Sequence, residues 1–93
     1  MAEVVRVRGV SGIEYSFLTY EKREGIHYFE ESWGRLPKDP LMAILSLAMK
    51  VRDVVGSRDF EKRNYVVRLY VKEEIPKEAR DYASKFRIEI VKV

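Results

Sequence analysis

Apolar and polar residues alternate from the start of the chain. In Val4-Val5-Arg6-Val7-Arg8, Val5 and Val7 point one way and Arg6 and Arg8 the other, the period of a short strand that Gly9 ends. Ile13, Tyr15 and Phe17 then alternate with Glu14, Ser16 and Leu18, which predicts a second strand reaching Tyr20. The polar "EKREG" that follows is a turn, with Gly25 free to take positive φ, and a third strand is expected from Ile26 to Trp33. The second and third strands are expected to pair as an antiparallel hairpin.

The period changes after Gly34. Asp39 is placed to cap exposed amides, Pro40 suits a first helical position, and "PLMAILSLAMKVRDVV" predicts a helix stopped by Gly56. Ser46, Lys50 and Asp53 share one face of that helix, with Arg52 close by, and nearly everything else is apolar or small. A surface helix needs an apolar stripe of roughly 100° or somewhat more, and this one exceeds it. Its breadth implies cover on two sides: the sheet, and either a second helix or another subunit.

Beyond the charged loop "GSRDFEKRN", the run "YVVRLYV" is apolar except for Arg68 and reads as a strand inside the sheet. Pro76 opens another helix, with Ala79, Tyr82, Ala83 and Phe86 at i, i+3, i+4 and i+7, and "RIEIVKV" closes as a strand. Strand, helix and strand at this spacing have the length of a right-handed parallel βαβ crossover. The expected fold is α/β, bordering on α+β. It has a mixed sheet of about five strands in the order β-β-β-α-β-α-β, an N-terminal antiparallel hairpin and a C-terminal parallel βαβ unit.

Composition narrows the setting. Ninety-three residues, 46% hydrophobic and 35% charged, make one globular domain over 1–93, near the lower end of what buries a core unaided. With no cysteine, disulfides and thiolate metal sites are excluded, and with His27 the single histidine, a zinc site of the usual ligands is not expected. The start Met-Ala-Glu-Val carries no leader pattern and no apolar run is long enough to span a bilayer, so a cytoplasmic protein is expected, without membrane association. No glutamine and one asparagine, against many Lys, Arg and Glu, point to a thermophilic source. The net charge is +3, and the excess lies late: residues 36–93 carry thirteen basic and nine acidic side chains. A solvated mixed-charge surface explains that balance, and nucleic acid is a permissible partner.

Candidate chemistry is sparse. Ser11 with His27 and an acid would need a nucleophile elbow, and no Gly-x-Ser-x-Gly occurs. "GVSG" lacks the lysine of a phosphate-binding loop. Among the aromatic residues, Trp33, beside Gly34 and Arg35, is the one expected to be exposed and useful for binding. Metal-dependent phosphodiester cleavage would need acids on neighbouring strands together with a lysine. Glu14 on the second strand and Glu30 or Glu31 on the third could approach one another.

Two stretches carry a family resemblance: "GVSGIEYSFL" near the start and "NYVVRLYVKEEIPKEARDYASKFRIEIV" at the close. Together they resemble small archaeal domains of the restriction-endonuclease-like, PD-(D/E)xK nuclease fold. There a Gly-x-Ser-Gly-x-Glu turn leads to a metal-binding acid, and the next strand bears Glu-x-Lys. The resemblance implies a Mg²⁺-dependent nuclease scaffold. This chain departs from the pattern: Leu18 follows Phe17 where an acid is due, and "FEESWGR" puts Ser32 and Trp33 where a lysine is due. A short strand also replaces the family's N-terminal helix. One acid and no lysine would hold Mg²⁺ poorly, because the ion keeps most of its waters and needs anchoring charge. Glu14 is therefore expected to be a hairpin charge rather than a ligand.

Three readings follow. The first is a non-catalytic nuclease-like module without cofactor or metal, associating with itself or another protein through the Leu41–Val55 helix. The second is a nucleic-acid-binding protein using Arg6, Arg8, Trp33, Arg35, Lys50, Arg52, Arg58, Lys62 and Arg63. The third is a Mg²⁺ nuclease with a migrated site built from Glu14, Glu30, Glu31 and Lys50. The first is favoured.

Overall fold

The structure is a computed structural model and describes residues 4–93. A hairpin of β1 (Val5–Arg8) and β2 (Glu14–Phe17) precedes a four-stranded sheet of β3 (Thr19–Arg23), β4 (Ile26–Trp33), β5 (Tyr65–Val71) and β6 (Ile88–Lys92). The sheet order is β3-β4-β5-β6: β3 runs antiparallel to β4, while β4, β5 and β6 run parallel. Helices α1 (Pro40–Val55) and α3 (Lys77–Ser84) make the two crossovers, and the short α2 (Ser57–Glu61) lies between α1 and β5. The fold is thus α/β with a mixed sheet, an N-terminal antiparallel hairpin and a C-terminal parallel βαβ unit.

Two details differ from the sequence expectation. The second strand is split at Leu18 into β2 and β3, giving six strands. Phe17 and Tyr20 both pack on Phe29, with ring centroids 4.7 and 4.9 Å away. Strict alternation would send them to opposite faces, so the chain bends between them. The Leu18 amide still donates to the Glu30 carbonyl at 2.9 Å, which keeps the bent segment joined to β4. The second difference is α2, which occupies part of the expected charged loop. Phe60 stacks on Tyr65 at 5.2 Å, and this one apolar contact anchors the turn of helix.

α1 forms as its signals predict. The Asp39 carboxylate accepts from the Met42 amide at 3.2 Å, Pro40 opens the helix, and Gly56 at φ 87° ends it. Ile44, Leu47, Ala48, Val51 and Val55 form the buried stripe, at i, i+3, i+4, i+7 and i+11. On β5, Tyr65, Val67, Leu69 and Val71 are all buried beneath the helices. Fully burying one such side chain is worth about 1.5–3 kcal/mol.

Both crossovers step the same way along the sheet, from β4 to β5 to β6. Right-handed connections then set both helices on one face, and α1 does lie against α3. Among the described residues, no helix lies over the other face, which carries Tyr28, Glu30, Val66, Arg68 and Tyr70. Among the described residues no helix is long and apolar enough to cross a membrane.

Candidate functional site

The candidate carboxylates are separated by strand alternation and by the bend at Leu18. Glu14 on β2 faces Arg8 at 3.6 Å and Arg6 at 4.0 Å, all three side chains well exposed. Glu30 and Glu31 are sequence neighbours on β4 and so project to opposite faces. Glu30 lies on the open face, accepting from the Thr19 hydroxyl at 2.8 Å and from the Tyr70 hydroxyl. The Tyr70 bond first, and then the Thr19 bond, hold its carboxyl below the usual carboxylate range.

Glu31 faces the helices. Lys50 Nζ on α1 donates to Glu31 Oε2 and to the Ser16 carbonyl, each at 2.8 Å, and sits 4.4 Å from the centroid of the Phe17 ring. The structure therefore brings Glu31 and Lys50 together and leaves Glu14 and Glu30 elsewhere. Among the described residues, no three His, Asp or Glu side chains are grouped to hold a metal ion.

Ser11 and His27 are not partners. His27 is buried at 5% exposure, with Nδ1 2.8 Å from the Tyr20 hydroxyl and Nε2 3.1 Å from Asp59 Oδ2. A ring protonated on Nε2 satisfies both contacts, donating to Asp59 and accepting from Tyr20. Asn64 Nδ2 also donates to Asp59, at 3.2 Å. The Asn64 bond first, and then the His27 bond, keep the Asp59 carboxyl below its ordinary range.

Ser11 instead belongs to the tip of the β1–β2 hairpin, which is fastened to the end of α1. Asp53 accepts from the Ser11 amide at 3.0 Å, the Ser11 hydroxyl at 2.5 Å and the Tyr15 hydroxyl at 2.7 Å. The Val10 amide caps the Asp53 carbonyl at 2.8 Å. The Ser11 hydroxyl, then the Tyr15 hydroxyl, lower the Asp53 pKa.

Between this tip and the outer face of α1 runs an open groove of about 860 Å³, lined by Val10, Ile13, Leu45, Met49 and Arg52 among others. Met42, Ser46 and Met49 lie at i, i+4 and i+7 on the side of α1 opposite its buried stripe. Met42 is 56% exposed, Met49 48%, Val10 78% and Ile13 56%. The core, α3 and α2 cover other sides of the helix, and the hairpin tip meets this side only at its Asp53 end. The Leu41–Val55 helix was legible as too apolar; of the hairpin residues that extend the patch, Val10 carried no periodic signal and Ile13 was read only as part of a strand's alternation.

The proposed basic residues are spread over several surfaces. Arg6 and Arg8 stand on the hairpin beside Glu14, Lys50 is committed to Glu31, and Arg52 borders the groove. Arg35 is exposed in the loop before α1. Trp33 is not the exposed binding residue expected: it shares the helix-side face of β4 with Phe29 and packs partly buried against the core. Arg58, Lys62 and Arg63 do lie together, around α2 and the turn into β5. Compared with known protein families, with curated proteins and with solved structures, the chain matches none.

Proposed function

We propose that this chain is a non-catalytic association module on a nuclease-like scaffold, working as a homodimer through the outer face of α1. The carrying observation is the set of exposed apolar side chains Met42, Met49, Val10 and Ile13, with half-buried Leu45 lining the groove beside Met49, Val10 and Ile13. Contiguous apolar surface of this kind marks an interaction site more often than scattered exposed residues do.

A second copy of the chain fits the patch because ridge and groove occupy the two ends of one helix face. Met42 and Leu41 form the ridge near the start of α1; the hairpin tip and Met49 form the groove near its end. A two-fold axis near Leu45 and Ser46 sets each ridge into the other copy's groove, the self-complementarity that a symmetric interface requires. Ser46 at the centre lets the helices approach closely. Lys50 borders the contact already paired with Glu31, and Asp53 borders it with its carboxylate oxygens already accepting from Ser11 and Tyr15.

The closing β5-α3-β6 unit and the mixed sheet support the restriction-endonuclease-like reading, and the pairing of Lys50 with Glu31 supports a structural rather than a catalytic use of that lysine. The absence of cysteine and the scarcity of amide side chains fit a cytoplasmic, thermophilic setting. Light scattering across micromolar concentrations tests the proposal. A dimer that becomes a folded monomer in Met49→Glu is expected; a wild-type monomer throughout would remove the reading.

A further inference from the structure

Six basic side chains gather at the end of the sheet where the parallel strands begin. Lys22 on β3 is in register with His27, His27 with Tyr65, and the Arg87 carbonyl accepts from the Val67 amide, so all lie in one row across the strands. α2 and its cap bring Arg58 and Lys62 to this end, the turn into β5 brings Arg63, and the residue after α3 brings Lys85. Of these six, Lys22, Lys85 and Arg87 had no visible connection to the others in the sequence.

Two features set this row apart from the other charged surfaces. Among the described residues none of the six takes part in an ion pair, whereas Arg6, Arg8, Arg23, Lys50, Arg68, Arg80 and Lys92 all do; Arg35, Lys38, Arg52, Lys72 and Lys77 are likewise outside ion pairs but lie in other segments, not in this row. Asp59, the acid within the row, is occupied by His27 and Asn64, leaving Glu24 and Glu61 as the acids of these turns. In addition, Arg63 and Arg87 both sit at positive φ, 57° and 58°, where glycine or asparagine is the easier residue. Their side chains cross between the two turns: Arg63 Nη2 donates to the Lys85 carbonyl at 3.1 Å and Arg87 Nη1 to the Arg63 carbonyl at 3.0 Å. Each guanidinium is thereby held in place with most of its donors still directed outward.

We propose that this edge binds the sugar–phosphate backbone of a nucleic acid, with Lys22, Arg58, Lys62, Arg63, Lys85 and Arg87 as the phosphate contacts. The row crosses three strand spacings, roughly 14 Å. A duplex presents about one charge per 1.7 Å of axis, so several phosphates face the row at once. None of the large exposed apolar side chains belongs to these turns, so the edge offers no anchor for a peptide side chain or a lipid surface. The Asn64 amide in the row is half-buried and donates to Asp59, and among the described residues these turns expose no aromatic side chain to read bases, so recognition here is of backbone rather than of sequence.

The test is fluorescence anisotropy with a labelled 20-base-pair duplex and its single strand, from 50 to 200 mM salt, with polyglutamate as a competing polyanion. Binding is expected to fall steeply with salt, with a log–log slope of about −5 for the duplex if all six side chains contact phosphate. Arg63→Gly/Arg87→Gly is expected to fold, since glycine accepts both backbone conformations, to lose at least tenfold in affinity, and to flatten the slope by about 2. Met49→Glu is expected to retain the salt slope, which separates this surface from the α1 contact. Absence of binding at 50 mM salt, unchanged affinity in the double variant, or polyglutamate competing as well as unlabelled duplex would each overturn the proposal.

Discussion

Asp53, in the last turn of α1, holds Ser11 by both its amide and its hydroxyl, at 3.0 and 2.5 Å, across 42 residues of chain. The contact requires a residue without a side chain at position 9. A Cβ on Gly9 would lie 2.3 Å from Asp53 Oδ2 and 2.5 Å from its Cγ. The carboxylate cannot swing away without surrendering the bonds from Ser11 and Tyr15. Gly9→Ala is therefore expected to destabilise by about 1–3 kcal/mol, the range for forced overpacking. In an Asp53→Ala background the obstacle is gone, and the same substitution should be nearly neutral. A double-mutant cycle by urea unfolding reads the coupling; equal effects in both backgrounds would mean that the hairpin tip is not held this way.

The Glu31–Lys50 pair offers a sharper separation between scaffold and site. Both side chains are mostly covered, at 21% and 24% exposure. Lys50→Met leaves Glu31 without its cation and the Ser16 carbonyl without its donor, and should cost about 1–3 kcal/mol. Adding Glu31→Leu should restore much of that loss, since removing both partners of a covered pair costs less than removing one. Chemical denaturation of the two single variants and the double variant measures it. If Lys50→Met were as stable as wild type yet abolished Mg²⁺-dependent cleavage of a labelled duplex, the lysine would be catalytic and the migrated-site reading would return.

The periodic parts of the chain were legible because local pattern and final environment agree. Asp39-Pro40 and Gly56 bound α1 at the residues that cap and end it, and the apolar run "YVVRLYV" marks β5 as a strand inside the sheet, between β4 and β6. Legibility failed where a contact between distant residues overrides local period. Phe17 and Tyr20 both turn toward Phe29, which bends the strand at Leu18. Trp33 looked exposed because Gly34 and Arg35 follow it, but its register with Phe29 and Glu31 turns it toward the helices. The basic edge was legible only in part: Arg58, Lys62 and Arg63 are sequence neighbours, whereas Lys22 and Arg87 join them through strand register alone.

Acid should weaken the fold through a small set of carboxylates. Glu30, Asp53, Asp59 and Glu74 all have pKa values lowered in the folded state, chiefly by the Tyr70 hydroxyl, the Ser11 hydroxyl, the Asn64 amide and the Lys92 ammonium respectively. With a folded pKa below the unfolded one, the unfolded chain binds more protons in the interval between them, so stability rises with pH there. The contribution is complete above the unfolded value of about 4 and is lost as pH falls through the folded values. Melting temperature measured from pH 7 down to 2 should hold steady and then drop below about pH 4. Asp59→Asn removes one of these groups and should give a shallower acid limb. An acid limb of unchanged steepness in that variant would show that Asp59 carries no such linkage.

Self-association through α1 also has a thermodynamic signature that distinguishes it from core packing. A dimer that forms only from folded chains raises the melting temperature as protein concentration rises, by mass action. Met42 and Met49 lie on the face proposed to be shared, whereas Leu69 is fully buried within one chain. Leu69→Ala should lower stability by about 2–5 kcal/mol through lost burial and the cavity left behind, at every concentration. Met49→Glu should instead leave the melting temperature at low concentration nearly unchanged, because the residue is half exposed in the single chain. It should abolish the upward drift seen with wild type as concentration increases a hundredfold. A wild-type melting temperature independent of concentration, together with a Met49→Glu chain indistinguishable from it, would mean that the bare face of α1 meets no second copy.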